Sequence, residues 1–299
     1  MIKYLINVFF EGIMANDVVQ RIRNIHTRLS KGHKKIANII LNNLDMAAYM
    51  TASRLGAQAG VSESTVVRFA CELGYEGYGE LQRAIQKMLQ MHLTPNQRIE
   101  FTKQRIGRTD ILEKVMLTDI DKIRNTINNL DRDAFYKSVE AILSAKTIYI
   151  MGARSSEPIA RMLNYNLSLI FDNVKFVNPT SSAEVFEQMF SIGSADLLFA
   201  FSFPRYSSKM VNAVKYARSK DATVVVCTDS DISPLVEYAT HVLTAQSGMA
   251  SFMDSLIAPL SIINAIIVEI TNRREPIIKA RFKNLEKLWD EYDVYASHR

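Results

Sequence analysis

The sequence is poor in the residues that build stapled or metal-held frameworks. Its 299 residues include two cysteines, Cys71 and Cys227, far apart and each inside an apolar pattern. That excludes a disulfide-laced secreted scaffold and points to reduced structural thiols in a cytoplasmic protein. The five histidines, His26, His33, His92, His241 and His298, are scattered, and no Cys/His cluster has metal-ligand spacing. No metal site is therefore expected, and the sequence points to no cofactor and no catalytic residue. Long hydrophobic runs are missing too. The longest candidate, Ile257 to Ile270, is interrupted by Pro259, Ser261, Asn264 and Glu269 and reads as a core helix, short of the roughly 20 apolar residues a membrane span needs. No membrane partner is expected. The opening MIKYLINVFF has no small-residue cleavage pattern after it, which argues against a secretory signal, and Met14 offers a second start that would leave residues 1–13 outside the fold.

What remains is an ordinary globular composition on a chain long enough for two domains. The net charge is +5, and residues 15–91 hold ten Lys/Arg against six Asp/Glu, so most of the excess lies in the first third. Nucleic acid is a candidate partner for that third, and a solvated helical surface is the plain alternative. The same third has apolar residues at helical spacing, as in Ile36, Ile39, Ile40 and Leu44. The pattern weakens from residue 92 to 110 through HLTPNQ and GRTD, which reads as a linker, and resumes at Ile111.

The stretch TASRLGAQAGVSESTVVRFACELG, Thr51 to Gly74, has helix-turn-helix anatomy. Thr51 can cap a first helix that turns Leu55 and Ala59 inward, Gly60 suits the turn, and Ser62 can cap a second helix. That helix buries Val66, Phe69, Ala70 and Leu73 and leaves Ser64, Arg68 and Glu72 on a polar face. Its N-terminal residues Glu63, Ser64, Thr65 and Arg68 are where such a motif meets base edges, with Arg68 suited to guanine. A purely structural helical hairpin is the competing reading. Arg21, Arg23, Arg28, Lys31, Lys34 and Lys35 would add phosphate contacts, or simply form an exposed face.

Beyond residue 145 come short apolar runs: TIYIM (147–151), VKFV (174–177), LLFAF (197–201), TVVVC (223–227) and HVLT (241–244). Helical segments between the first four predict right-handed crossovers and a parallel sheet covered on both faces. The fold class is thus an all-α helix-turn-helix domain (15–91), a linker (92–110) and an α/β domain (111–299) with a five-stranded parallel sheet flanked by helices. Ligands of such sheets bind beyond the carboxyl ends of the strands. There TIYIM runs into GARSSEP, and LLFAF runs into SFPRYSS. Gly152 permits a tight turn, Ser155, Ser156, Ser202, Ser207 and Ser208 offer hydroxyls, and Arg154 and Arg205 offer charge. Each loop alone reads as a solvated turn; the repetition favours an anion site at two helix N-termini.

The helix-turn-helix stretch followed by LGYEGYGELQ, with GARSS, SFPRYSS, TDSDISPL and SFMDS in that order, resembles the RpiR/MurR family of bacterial transcription regulators. The resemblance runs from about residue 15 to the end. It implies a C-terminal sugar isomerase (SIS) domain of flavodoxin-like character, a homodimer or homotetramer, a double-stranded DNA operator and a phosphorylated sugar as effector. It assigns Ser155 and Ser156 to a first phosphate loop, and Ser202, Arg205, Ser207 and Ser208 to a second. Many SIS domains have a Ser-x-Ser-Gly-x-Thr second loop; here Pro204, Arg205 and Tyr206 stand inside it. Asp254 and Ser255, with Ser251 and Phe252, either close the site or cap the last long helix. The rival function is an aldose–ketose isomerase, for which Glu184, Asp254 and His241 are the candidate bases. The attached DNA-binding motif favours a regulator in which the effector shifts the arrangement of domains over a palindromic operator.

Overall fold

The computed structural model describes residues 18–92, 94–106 and 110–295; residues 1–13, expected as a dispensable extension, lie outside them. The chain divides into two compact units, with the boundary between Gln97 and Arg98.

In the first unit the described helices are α1 (Val18–Ile25), α2 (Lys31–Asn42), α3 (Leu44–Ala47), α4 (Ala52–Ala59), α5 (Glu63–Glu72) and α6 (Tyr78–His92). Their apolar stripes meet in one core, with Ile22, Ile36, Ile40, Leu55, Val66, Phe69, Leu81 and Ile85 fully buried. The inward positions read from the sequence in α4 and α5 are all in this core. Cys71 departs from expectation. It lies on the exposed side of α5, one position along from the buried Ala70, while Cys227 is buried as the pattern suggests.

The segment read as a linker is largely helical: α7 (Pro95–Ile106) fills most of it, and the unit boundary falls inside this helix. Thr94 starts it by accepting from the Gln97 amide at 3.3 Å, while Gln97 Oε1 accepts from the Thr94 amide at 2.9 Å. This reciprocal capping supports a helix start where the apolar period had faded.

The second unit continues with α8 (Ile111–Asn129) and α9 (Arg132–Ser144), and then a doubly wound region. Its elements are β1 (Ile148–Gly152), α10 (Glu157–Ile170), β2 (Val174–Phe176), α11 (Ser182–Gln188), β3 (Leu197–Phe201), α12 (Ser208–Ser219), β4 (Thr223–Thr228) and β5 (His241–Thr244). The five strands are all parallel in the order β2-β1-β3-β4-β5. Strand alternation divides the core into two layers. Ile148, Ile150, Phe199, Phe201 and Val225 pack on α9, α10 and α13 (Ile257–Arg273). Tyr149, Met151, Leu198, Ala200 and Val226 face the other way, toward α11 and α12. Burial on both faces is why these strands read as unbroken apolar runs. A short hairpin, β6 (Gly248–Met249) with β7 (Asp254–Ser255), precedes α13, in the segment read from the sequence as closing the ligand site or capping the last long helix. The helix α14 (Glu275–Glu291) closes the chain.

The strand order carries the functional consequence. From β1 the chain leaves along α10 on one face, and from β3 it leaves along α12 on the other. The two crossovers diverge, which makes the carboxyl ends of β1 and β3 the topological switch point of the sheet, the place where ligands of such folds bind.

Candidate functional site

In the first unit the helix-turn-helix is built around two glycines. Gly60 holds φ +64° and ends α4 in the left-handed conformation, which a side chain would resist. At Gly56 a Cβ would stand 2.9 Å from the Val61 carbonyl oxygen, so a glycine lets the turn fold back on α4. Thr51 caps α4, its hydroxyl accepting from the Arg54 amide at 3.2 Å. Ser62 holds the N-cap position of α5, but its hydroxyl bonds to those of Ser64 and Thr65, both at 2.9 Å, rather than to a backbone amide. Glu63, Ser64 and Arg68 are exposed, and Arg68 Nε donates to the Ser64 carbonyl at 3.3 Å. Glu72, read as part of the same open face, is instead held by His33 of α2, whose ring also packs edge-on to Phe69. Arg21 is likewise engaged, donating to the Leu73 carbonyl at 3.3 Å and stacking over Tyr75. Lys35 lies beside the turn, its Nζ 3.7 Å from the Cβ position of Gly60.

In the second unit the two predicted loops meet. Gly152 ends β1 so close to α10 that a Cβ would stand 2.6 Å from the Ser156 carbonyl oxygen and 2.8 Å from Ala160 Cβ. The Ser156 hydroxyl lies 2.8 Å from the Ala153 carbonyl and 3.0 Å from the Phe201 carbonyl at the end of β3. It also accepts from the Ala153 amide at 3.3 Å. Ser156 is therefore a buried strut joining the two strand ends, and its hydroxyl is spent on backbone, contrary to the open ligand contact expected of it. Ser202 is buried too, its amide donating to the Cys227 carbonyl at 3.1 Å. Arg154, Ser155, Arg205 and Ser208 are exposed, and Ser207 is half-buried at the N-cap of α12 without a side-chain capping bond.

The two loops share a backbone feature that sequence reading missed. Arg154 has φ +57° and Arg205 φ +63°, so each strand gives way to its helix through an arginine in the left-handed region. A non-glycine residue there costs about 1–3 kcal/mol, and such strain concentrates at functional sites. Lys209, in the first turn of α12, adds a cation; it donates to the Pro179 carbonyl at 3.3 Å and to that of Thr180. Tyr206 donates to Asp229 Oδ1 at 2.6 Å, and burial followed by the Asp229 charge pushes the phenol well above its ordinary range. This bond ties the second loop to the end of β4.

Asp254 and Ser255 are engaged by side chains outside the two loops, although the charge of Arg205 also acts on Asp254. Asp254 accepts from Arg98 at 3.1 Å, and Ser255 donates to Asp119 of α8 at 2.7 Å, so both side chains anchor the β6–β7 hairpin internally. The three candidate bases are also accounted for. Glu184 closes a capping box with Ser181 at the start of α11, and bonds from the Thr180 hydroxyl and the Ser181 amide hold it below the usual carboxylate range. His241 begins β5, at the amino edge of the sheet, opposite the loops. Asp254 is paired.

Residues 16–92 match the family model "Helix-turn-helix domain, rpiR family", and residues 141–269 match that of the SIS domain. The chain therefore has the architecture of RpiR-family transcription regulators, an rpiR-type helix-turn-helix domain followed by a SIS domain. An uncharacterized HTH-type transcriptional regulator of Haemophilus influenzae is 27% identical over 233 residues, covering 77% of this chain and 80% of its own length. The HTH-type transcriptional regulator HexR of Escherichia coli is 22% identical over 288 residues, or 92% of this chain and 95% of HexR. Among solved structures, the NanR protein of Vibrio vulnificus complexed with ManNAc-6P aligns with 94% of this chain and 100% of its own, with a TM-score of 0.59 and 22% identity. The sugar isomerase domain of an RpiR transcription factor from Sphaerobacter thermophilus aligns with 58% of this chain and 97% of its own, with a TM-score of 0.56 and 24% identity. The chain thus shares this two-part architecture with the regulators it matches, and its sheet has the SIS fold.

Proposed function

We propose that this chain controls transcription by binding an operator through α4 and α5, with its DNA affinity set by a phosphorylated sugar held between the β1 and β3 loops. The observation that carries the reading is the meeting of those loops: Ser156 bonds to the end of β3, and both exits pass through a strained, exposed arginine. Arg154 and Arg205 suit the charge of a phosphate, and Ser155, Ser207 and Ser208 suit its oxygens. The NanR relative, built alike, was crystallised with a sugar phosphate. On α5, Ser64, Thr65 and Arg68 are the proposed base and phosphate contacts. The protein works in the cytoplasm, where the operator is.

The reading includes a dimer. On α8 the large apolar side chains of Leu112, Met116, Leu117, Ile120 and Ile127 stay exposed, each by more than 40%. A stripe of this kind on a helix fits a second copy of itself around a two-fold axis, which would present two recognition helices to a palindrome. Sedimentation of the Leu112→Glu, Ile120→Glu variant should show monomers; an unchanged mass removes α8 from the interface. The isomerase alternative lacks support from the carboxylates and histidine first suspected, because Glu184 is a helix cap, Asp254 is paired and His241 is at the far edge. We therefore infer binding without turnover.

The test is calorimetric titration of the full chain with a set of hexose and aminosugar phosphates, N-acetylmannosamine 6-phosphate among them, and with the same sugars unphosphorylated. Binding that requires the phosphate, and that changes affinity for DNA selected from a random-sequence pool, is the expected result. Equal binding of sugar and sugar phosphate, or conversion of either at enzymatic rates, overturns the reading.

A further inference from the structure

The second unit holds a buried ion pair that the two loops do not explain. Arg98, near the start of α7, is 1% exposed, and its guanidinium reaches Asp254 at 3.1 Å. The Asp254 side chain is 10% exposed. Its carboxylate lies in the field of two further charges: Arg205 of the second loop, and Asp229 at the end of β4. Asp229 is in turn the acceptor for Tyr206, the neighbour of Arg205. A single carboxylate is thus influenced by the proposed effector loop on one side and by the helix leading to the DNA-binding unit on the other.

The pair is a poor device for stability. Burial raises the Asp254 carboxyl above its ordinary value despite both arginines, so desolvation outweighs their attraction. Buried pairs of this kind are commonly matched or bettered by apolar side chains of similar volume. Retaining one asks for another role, and its place on α7 supplies it. The helix starts at Pro95, three residues after α6 ends at His92. Anything that holds its first turns more or less firmly acts on the chain segment through which the DNA-binding unit is attached.

We propose that Arg98 is the positioning residue through which occupancy of the loop site is read by α7. An anion at the second loop neutralises the charge of Arg205 as felt by Asp254 and adds a negative charge of its own. Asp254 then depends more strongly on Arg98, and the part of α7 from Arg98 onward is held more firmly. The proposal rests on the loop site taking a phosphate. Reciprocity requires that the same coupling tighten phosphate binding when Arg98 is in place.

Hydrogen exchange of the full chain tests it, with inorganic phosphate as the probe against chloride at matched ionic strength. In the wild type, phosphate should slow exchange of the amides of residues 99–106 at least about fivefold, the low end of ordinary allosteric coupling. In Arg98→Met the slowing should vanish, while calorimetry finds phosphate still bound, weaker by no more than that same factor. Arg98→Lys, which keeps a cation, should recover part of the response. If Arg98→Met fails to unfold cooperatively, the pair Arg98→Met, Asp254→Leu replaces both charges by packing side chains and carries the same expectation. Slowing that persists without Arg98, or a wild type that binds phosphate without slowing, overturns the link and leaves the loop site standing. A wild type that binds neither phosphate nor any sugar phosphate overturns both.

Discussion

Gly152→Ala is the sharpest perturbation the loop site permits, because its effect can be worked out from distances. The added methyl would stand 2.6 Å from the Ser156 carbonyl oxygen and 2.8 Å from Ala160 Cβ. Neither obstacle is a flexible side-chain end: one is backbone of the turn after β1, the other the Cβ of a buried helical residue. Ordinary contact begins near 3.4 Å, so the turn must retreat by about 0.8 Å. Overpacking of this kind costs about 1–3 kcal/mol, and the stiffer unfolded chain returns about 0.4–1 kcal/mol of it. The net loss, at most about 2.6 kcal/mol, should lower the melting temperature by up to roughly 10 °C for a unit of this size. The retreat also pulls Ser156 off the Phe201 carbonyl, 3.0 Å away, and so parts the two loops. Calorimetry should then find sugar-phosphate affinity down at least about tenfold, a loss of about 1.4 kcal/mol. Gly193→Ala is the control, since nothing lies within 4 Å of its Cβ position; it should stay within about 0.5 kcal/mol of wild type. Wild-type melting and binding in Gly152→Ala would refute the claim that close packing at this position holds the loops together.

The strained arginines separate stability from binding: Arg205→Gly should raise stability by about 1 kcal/mol through relief of the left-handed backbone and yet lose the effector response. Gain without loss, followed by melting and titration, would remove Arg205 from the site. Gly60→Ala should cost about 1 kcal/mol at its φ of +64° and weaken DNA binding; unchanged melting would show that the turn tolerates a side chain. Arg68→Ala should reduce affinity for selected DNA by about 1–3 kcal/mol while barely changing affinity for random DNA, and equal losses would assign Arg68 to phosphate alone. Burial, aided by Lys137, holds His241 below the ordinary histidine range. The folded chain therefore takes up this proton less readily than the unfolded one, and stability falls as pH drops through that range toward the lowered value. His241→Gln should flatten that slope in acid-unfolding curves; an unaltered slope would place its origin elsewhere.

What the sequence made legible follows from how far each physical signal reaches along the chain. Apolar runs such as LLFAF identify strands because burial on both faces acts residue by residue, and the Gly60 turn shows itself because few residues tolerate its backbone. The convergence of GARSS and SFPRYSS was readable for a related reason: alternating strands and helices admit few parallel topologies, and adjacency of β1 and β3 follows from the commonest of them. Which serine turns inward was not readable. Ser155 and Ser156 are chemically identical neighbours, and only the tight exit past Gly152 decides that Ser156 braces the Phe201 carbonyl while Ser155 is exposed. The helix in the linker left little apolar period, and its start is marked instead by the polar, reciprocal Thr94–Gln97 cap. Arg98 and Asp254 stand 156 residues apart and leave no local trace; each alone resembles a surface charge. Their burial is a property of the assembled unit, which is why the expectation for Asp254 ran to the ligand. The correction also sharpens the chemistry of the site. With Asp254, Ser255 and Ser156 engaged internally, Arg154, Arg205, Ser155 and Ser208 are the exposed members of the two loops, residue types suited to holding an anion.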